Sequence, residues 1–138
     1  MNSPTAGGTR RAIILVVERD PHIRALEAFF LNEAGFGVEF AADGLSALQM
    51  ARETKPEIII TEVLVPKLDG LALCRAIRKE TELNNTVVLV FSILAAATRA
   101  REAGADAFLM KPLAEQRLVQ TVRELLTQRA ARPASGLA

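Results

Sequence analysis

The chain has no tryptophan, no tyrosine, one cysteine and one histidine among 138 residues. Each shortage excludes something. A lone thiol, Cys74, cannot form an intramolecular disulfide or a cysteine zinc site. Within the helical pattern "LALCRAI" it reads as a buried, inert side chain. His22 has no partner in its neighbourhood and reads as a solvated first-turn residue. With only six phenylalanines, aliphatic side chains must build the core. No apolar run approaches the ~20 residues that a membrane span needs. The N-terminal "MNSPTAGGTRR" lacks the apolar segment of a secretion signal. Seventeen basic and sixteen acidic residues leave a formal charge of +1, which points to neither nucleic acid nor an anionic membrane. The expectation is a cytoplasmic protein in a reducing compartment, with no direct nucleic-acid or membrane partner.

Half of the residues are apolar and a quarter charged, enough for one compact domain of ordinary core and surface. Residues 1–10 are small and polar, and the last residues, "RAARPASGLA", are rich in alanine, arginine and proline. Both ends read as tails, 1–10 and 130–138, around a single domain at 11–129.

Inside those bounds strand and helix patterns alternate. "AIILVV" (12–17), "EIIITEV" (57–63) and "TVVLVFS" (86–92) are continuous apolar runs, as expected of parallel strands covered on both faces. "VEFAA" (38–42) and "DAFLM" (106–110) are shorter strands. Between them lie helical patterns: one capped by Asp20-Pro21, with Ile23, Leu26, Phe29 and Phe30 as its apolar stripe, and one capped by Asp43, with Leu45, Leu48 and Ala51. A third runs over 69–80 through Leu73, Cys74 and Ile77. The alanine-rich 94–104 and the stripe Leu118, Val122, Leu125 and Leu126 of 113–129 complete the set. Five strands alternating with five helices predict a (βα)5 doubly wound α/β sandwich with a parallel sheet. Ligands of such sheets gather where the strands end. The residues there are Glu18, Arg19 and Asp20, then Glu62, Ser92, and Lys111 before Pro112. Three acids, a hydroxyl and two bases converge on one rim.

"ILVVERDP", "PEIIITEVLVPKLDG", "VVLVFS" and "GADAFLMKP" follow one another in an order and spacing that resemble the CheY-like receiver domains of two-component response regulators, over about residues 12–129. The resemblance implies a five-stranded, flavodoxin-like sheet of order 2-1-3-4-5. It implies a phosphorelay signalling module, not an enzyme. By the family pattern, two acids after the first strand and an aspartate ending the third hold Mg²⁺. That aspartate accepts a phosphoryl group from a histidine kinase, and a hydroxyl and a lysine then bind the phosphate. Glu18 matches the first acid, Ser92 the hydroxyl, Lys111 the lysine and Phe108 the aromatic switch position. "PKLDG" (66–70) matches the turn after the phosphorylation loop.

Two positions depart from the pattern: Arg19 replaces the second acid and Glu62 replaces the acceptor aspartate. Glu18, Arg19, Glu62 and Lys111 sum to zero charge, a poor field for a cation that demands anionic oxygens. Arg19 is expected to pair with Glu62 or Glu18 in the metal's stead. The added methylene of Glu62 moves its carboxylate by ~1.5 Å, and misplacement by about 1 Å alone can slow transfer ~10²-fold. The expectation is a degenerate receiver without cofactor or Mg²⁺, in which Glu62 partly imitates a phosphate. Its output would be binding to a histidine kinase, an output protein or a second copy, through the last two helices and fifth strand. Two alternatives stay open. One is a phosphorylatable regulator using Glu62 or Asp69, with Mg²⁺ on Glu18 and Asp20. The other is a flavodoxin-like cofactor binder, although "ERDP" supplies no phosphate-cradling loop. Blander readings are a surface ion-pair cluster at the rim, Ser92 as a helix N-cap, Phe108 as core, and "RAIRKE" and "TRARE" as solvated helix faces.

Overall fold

The computed structural model describes residues 11–112 and 114–131. The expected tail at 1–10 and the end of the second, 132–138, lie outside them. Five strands form one parallel sheet: β1 (Ile13–Val17), β2 (Gly37–Ala41), β3 (Ile58–Thr61), β4 (Val87–Ser92) and β5 (Ala107–Met110). Their order is β2-β1-β3-β4-β5. The helices between and after them are α1 (Pro21–Glu33), α2 (Gly44–Thr54), α3 (Gly70–Lys79), α4 (Ala97–Glu102) and α5 (Glu115–Ala130). A 3-10 turn at Thr81–Leu83 precedes β4 and has no counterpart among the sequence patterns.

β-branched residues fill the central strands because both sheet faces are covered. Ile14, Leu15, Ile58, Ile59 and Leu89 expose no surface. Alternation along each strand divides the core in two. Leu15, Val17, Ile59, Val88 and Val90 face Ala47, Leu73, Ile77 and Ala100 of α2–α4. Ile14, Val16, Ile58, Ile60 and Leu89 face Leu31 of α1 and Leu118, Val122 and Leu125 of α5. Cys74 is buried in the first of these layers, and burial pushes its thiol up to about 11, the inert behaviour its setting implies.

The caps fall where the sequence puts them. Asp20 accepts from the His22 amide at 2.9 Å, Asp43 from Ser46 at 2.7 Å and Asp69 from Ala72 at 2.9 Å. His22 itself is exposed. Other local expectations are corrected. In α1 the inner line is Glu27 and Leu31, one position round from the expected stripe, leaving Leu26 and Phe29 about half exposed. Leu45 is likewise exposed, since α2 seats Ala47, Leu48 and Ala51. Which way a helix turns its face is set by what it packs against, not by its most apolar arc. Nor is "RAIRKE" wholly solvated. Arg78 reaches across to Gly104, Thr86 and Asp106 at 2.8, 2.7 and 2.6 Å, tying α3 to the ends of the 85–106 segment. α4 keeps only 97–102 of the expected 94–104, and Ala96 offers its first turn no side-chain cap. α5 continues through Ala130, one residue past the expected boundary.

Candidate functional site

The rim is assembled by backbone pairing that outlasts the strands by one residue. The Glu18 amide donates to Ala41 at 3.1 Å, that of Glu62 to Val17 at 3.1 Å and that of Lys111 to Ser92 at 2.9 Å. Three side chains from β1, β3 and β5 are thus carried to one end of the sheet, with Ser92 at the end of β4. The start of α3 closes in behind them. A Cβ on Gly70 would lie 2.3 Å from the Glu62 carbonyl oxygen, so only glycine lets this helix approach. The turn between, Pro66-Lys67-Leu68, holds Lys67 at φ 72° with the Leu68 amide on the Pro66 carbonyl.

Glu62 and Glu18 are both buried, at 6% and 5% exposure. The carboxylate of Glu62 is enclosed by donors. Oε1 accepts from the Ser92 hydroxyl and, at 2.7 Å, from the Val63 amide. Oε2 accepts from the Ile93 amide at 3.2 Å and faces Lys111 Nζ at 3.2 Å. Lys111 also donates to Glu18 Oε1 and lies 5.4 Å from the centre of the Phe91 ring. The other oxygen of Glu18 takes the Asp20 amide at 3.1 Å. Burial alone would raise the Glu62 carboxyl, but the Ser92 hydroxyl and the Lys111 ammonium outweigh it and hold the group below the usual carboxylate range. Burial would lower Lys111, and Glu18 and Glu62 outweigh it in the same way, raising the ammonium above its usual range. The result is a charge-assisted, donor-saturated knot of two carboxylates and one ammonium.

Glu18, Glu62, Ser92 and Lys111 are therefore together as the rim pattern predicts. Arg19 is not with them. It is exposed and has no hydrogen bond or ion pair among the described residues, so the expected pairing with Glu62 or Glu18 is incorrect. The reason is direction. Successive side chains at a strand end point to opposite sides, and Glu18 turns inward where Lys111 meets it. Asp20 and Asp69 serve as helix caps, each with an oxygen on an amide. Ser92 is no N-cap of α4, which begins five residues later; its Oγ takes the Leu94 amide at 3.1 Å and its hydroxyl goes to Glu62. Phe108 sits on β5 opposite Val90, half-buried against the α2–α4 layer.

One residue near the rim escaped the sequence reading. Glu27 of α1 is 6% exposed, and its Oε1 is buried without a hydrogen-bond partner. Burial pushes its carboxyl up to about 7, with Lys111 opposing and Glu18 and Glu62 adding to the rise. Its position four residues from both Ile23 and Leu31 was the signal: an acid on a helix's apolar line.

Known proteins share this arrangement of elements. The profile of the family described as "Response regulator receiver domain" matches residues 14–123. The chain is 30% identical over 129 residues to the DNA-binding response regulator MtrA of Mycolicibacterium smegmatis, covering 94% of this chain and 57% of that one. It is 35% identical over 114 residues to the response regulator MprA of Mycobacterium avium, covering 82% and 50%. The chain thus spans about half the length of the curated relatives it matches. Among solved structures, the receiver domain of a signal transduction histidine kinase from Syntrophus aciditrophicus superposes with a TM-score of 0.82 at 32% identity, covering 92% of this chain and 98% of that one. The chemotaxis response regulator CheY4 of Vibrio cholerae gives 0.80 at 28%, covering 84% and 99%. By strand order, rim and sequence alike, the chain belongs to the response regulator receiver domains of two-component signalling.

Proposed function

We propose that this receiver works as a pseudo-receiver, a signalling and interaction module in which Glu62 occupies the switch site that a phosphoryl group and a metal serve in the family pattern. The observation that supports this is the enclosure of the Glu62 carboxylate. Ser92 and Lys111, at the positions the family pattern gives to phosphate binding, both contact it, together with the Val63 and Ile93 amides. Glu62 carries one negative charge against ~1.5–2 on a phosphate, so the imitation is partial and fixes one conformation.

The residues do not fit Mg²⁺. Both oxygens of Glu18 and both of Glu62 are engaged by protein donors, and Asp20 uses Oδ1 on a helix amide. An octahedral cation needs free anionic oxygens, and the exposed guanidinium of Arg19 stands where one would come from. Glu62 as phosphoacceptor would require this knot to open first, and Asp69 already uses an oxygen to cap α3 on the Ala72 amide. The cofactor-binding alternative lacks a phosphate cradle after β1.

Output is binding of a histidine kinase, an output protein or a second copy through α4, β5 and α5. The DNA binding in the name of the mycobacterial relative belongs to that protein, much of which lies beyond the match. The test is an amide-resolved titration with Mg²⁺ and beryllofluoride. The wild type is expected to stay flat to tens of millimolar, while the double variant R19D/E62D responds at the rim. A saturable Mg²⁺-dependent response of the wild type would establish the phosphorylatable reading and overturn this one.

A further inference from the structure

A cavity of about 370 Å³ opens between α1, the end of β4 and the start of α5. Its walls are the apolar side chains of Ile23, Leu26, Phe30, Phe91 and Leu118, among others, and two acids, Glu27 and Glu115, also line it. Lys111 also reaches its edge, but that ammonium is already paired with both Glu18 and Glu62. The cavity therefore has a largely apolar interior bordered by two acids whose side chains have no hydrogen bond or ion pair among the described residues. The side chain of Glu27 makes no hydrogen bond among the described residues although the residue is only 6% exposed, and a buried carboxyl left so is costly.

We propose that this cavity is a binding site for a small amphiphilic organic cation, an amine on an apolar body, whose ammonium pairs with Glu27 while its body lies against Ile23, Leu26, Phe30 and Leu118. At about 30 Å³ per heavy atom, the share of a molecule in liquid water, the space holds about a dozen heavy atoms. That is within the size range of ordinary ligand sites. An ammonium supplies the donor that Glu27 lacks, as a charge-assisted hydrogen bond in a partly dry setting. An anion of the same shape would be set against two acids, and a neutral head would gain no ion pair with either. The site stands whether or not Glu62 takes a phosphoryl group.

The probes are octylamine, octanol and octanoate, titrated into the full chain while the methyl signals of Ile23, Leu26 and Leu118 are followed. Octylamine is expected to saturate by about 5 mM, at least about tenfold more tightly than the other two. E27Q is expected to weaken octylamine about tenfold and to leave octanol unchanged. L26W, at a half-exposed position on the cavity's lip, is expected to abolish binding of the amine while the melting temperature stays as in the wild type. Equal affinity for amine and carboxylate would overturn the proposal. So would undiminished binding to L26W, or no saturation of the wild type. If E27Q fails to fold, the wild-type series and L26W still decide.

Discussion

Glu62 and Glu27 are equally buried, each at 6% exposure, yet their carboxyls are driven in opposite directions. Glu62 sits among a hydroxyl, backbone amides and an ammonium, and is held ionised. Glu27 sits among Ile23, Phe30 and Leu118, with no donor, and is pushed toward its neutral form. Burial is common to both; what differs is the supply of donors. The comparison teaches that desolvation sets the cost of a buried acid, and that the hydrogen-bonding partners decide whether a charge survives there.

The largest way to break the contrast is K111M, which takes the ammonium from two buried carboxylates at once. A loss of about 3–5 kcal/mol in urea unfolding at neutral pH is expected, because Glu18 and Glu62 would be left charged and unpaired. A loss below about 1 kcal/mol would show that the knot is not held by Lys111.

The second test separates the two acids by pH. Glu27 titrates near 7 in the fold against 4.5 as its ordinary value, so the folded chain holds that proton more tightly. Its contribution is fully present below about 4.5 and is lost as pH rises through about 7, amounting to about 3 kcal/mol. Glu62 has the opposite sign: its folded value is lowered, so its contribution is present above 4.5 and is lost as pH falls below it. E27Q should abolish the decline between about pH 4.5 and 7 and leave the acid limb intact, as read from denaturation at a series of pH values. Parallel curves for wild type and variant across that window would refute the assignment. Lys111, Glu18 and Glu62 are the charged groups acting on Glu27, so the difference curve should keep its sign at high salt.

The smallest effect is expected at the residue that looked most telling. R19A should change stability by no more than about 0.5 kcal/mol, since Arg19 is exposed and has no partner among the described residues. A larger loss would return the arginine to the rim.

Most of the fold was legible because its signals are local. Runs such as "IILVV" and "VVLVFS" announce buried parallel strands, and Asp20, Asp43 and Asp69 announce helix starts. The rim followed as well, because residues just past parallel strands must share one end of the sheet. What failed to read were quantities that depend on another element. α1 turns Glu27 and Leu31 inward, not Leu26 and Phe29, because the sheet and α5 fix its rotation. Ser92 gives its hydroxyl to an acid thirty residues away, not to the helix after it.

By itself, then, the sequence determined the order of strands and helices, the caps, and the set of residues that meet at the strand ends, all from periodicity and short-range chemistry. Only the tertiary structure decided which cation meets the carboxylates and which acid goes without one. Lys111 reaches Glu18 across ninety-three positions of chain, whereas Arg19 adjoins it and points away. Neighbours along the chain at a strand's end diverge, and pairing in parallel strands joins residues that no local pattern connects.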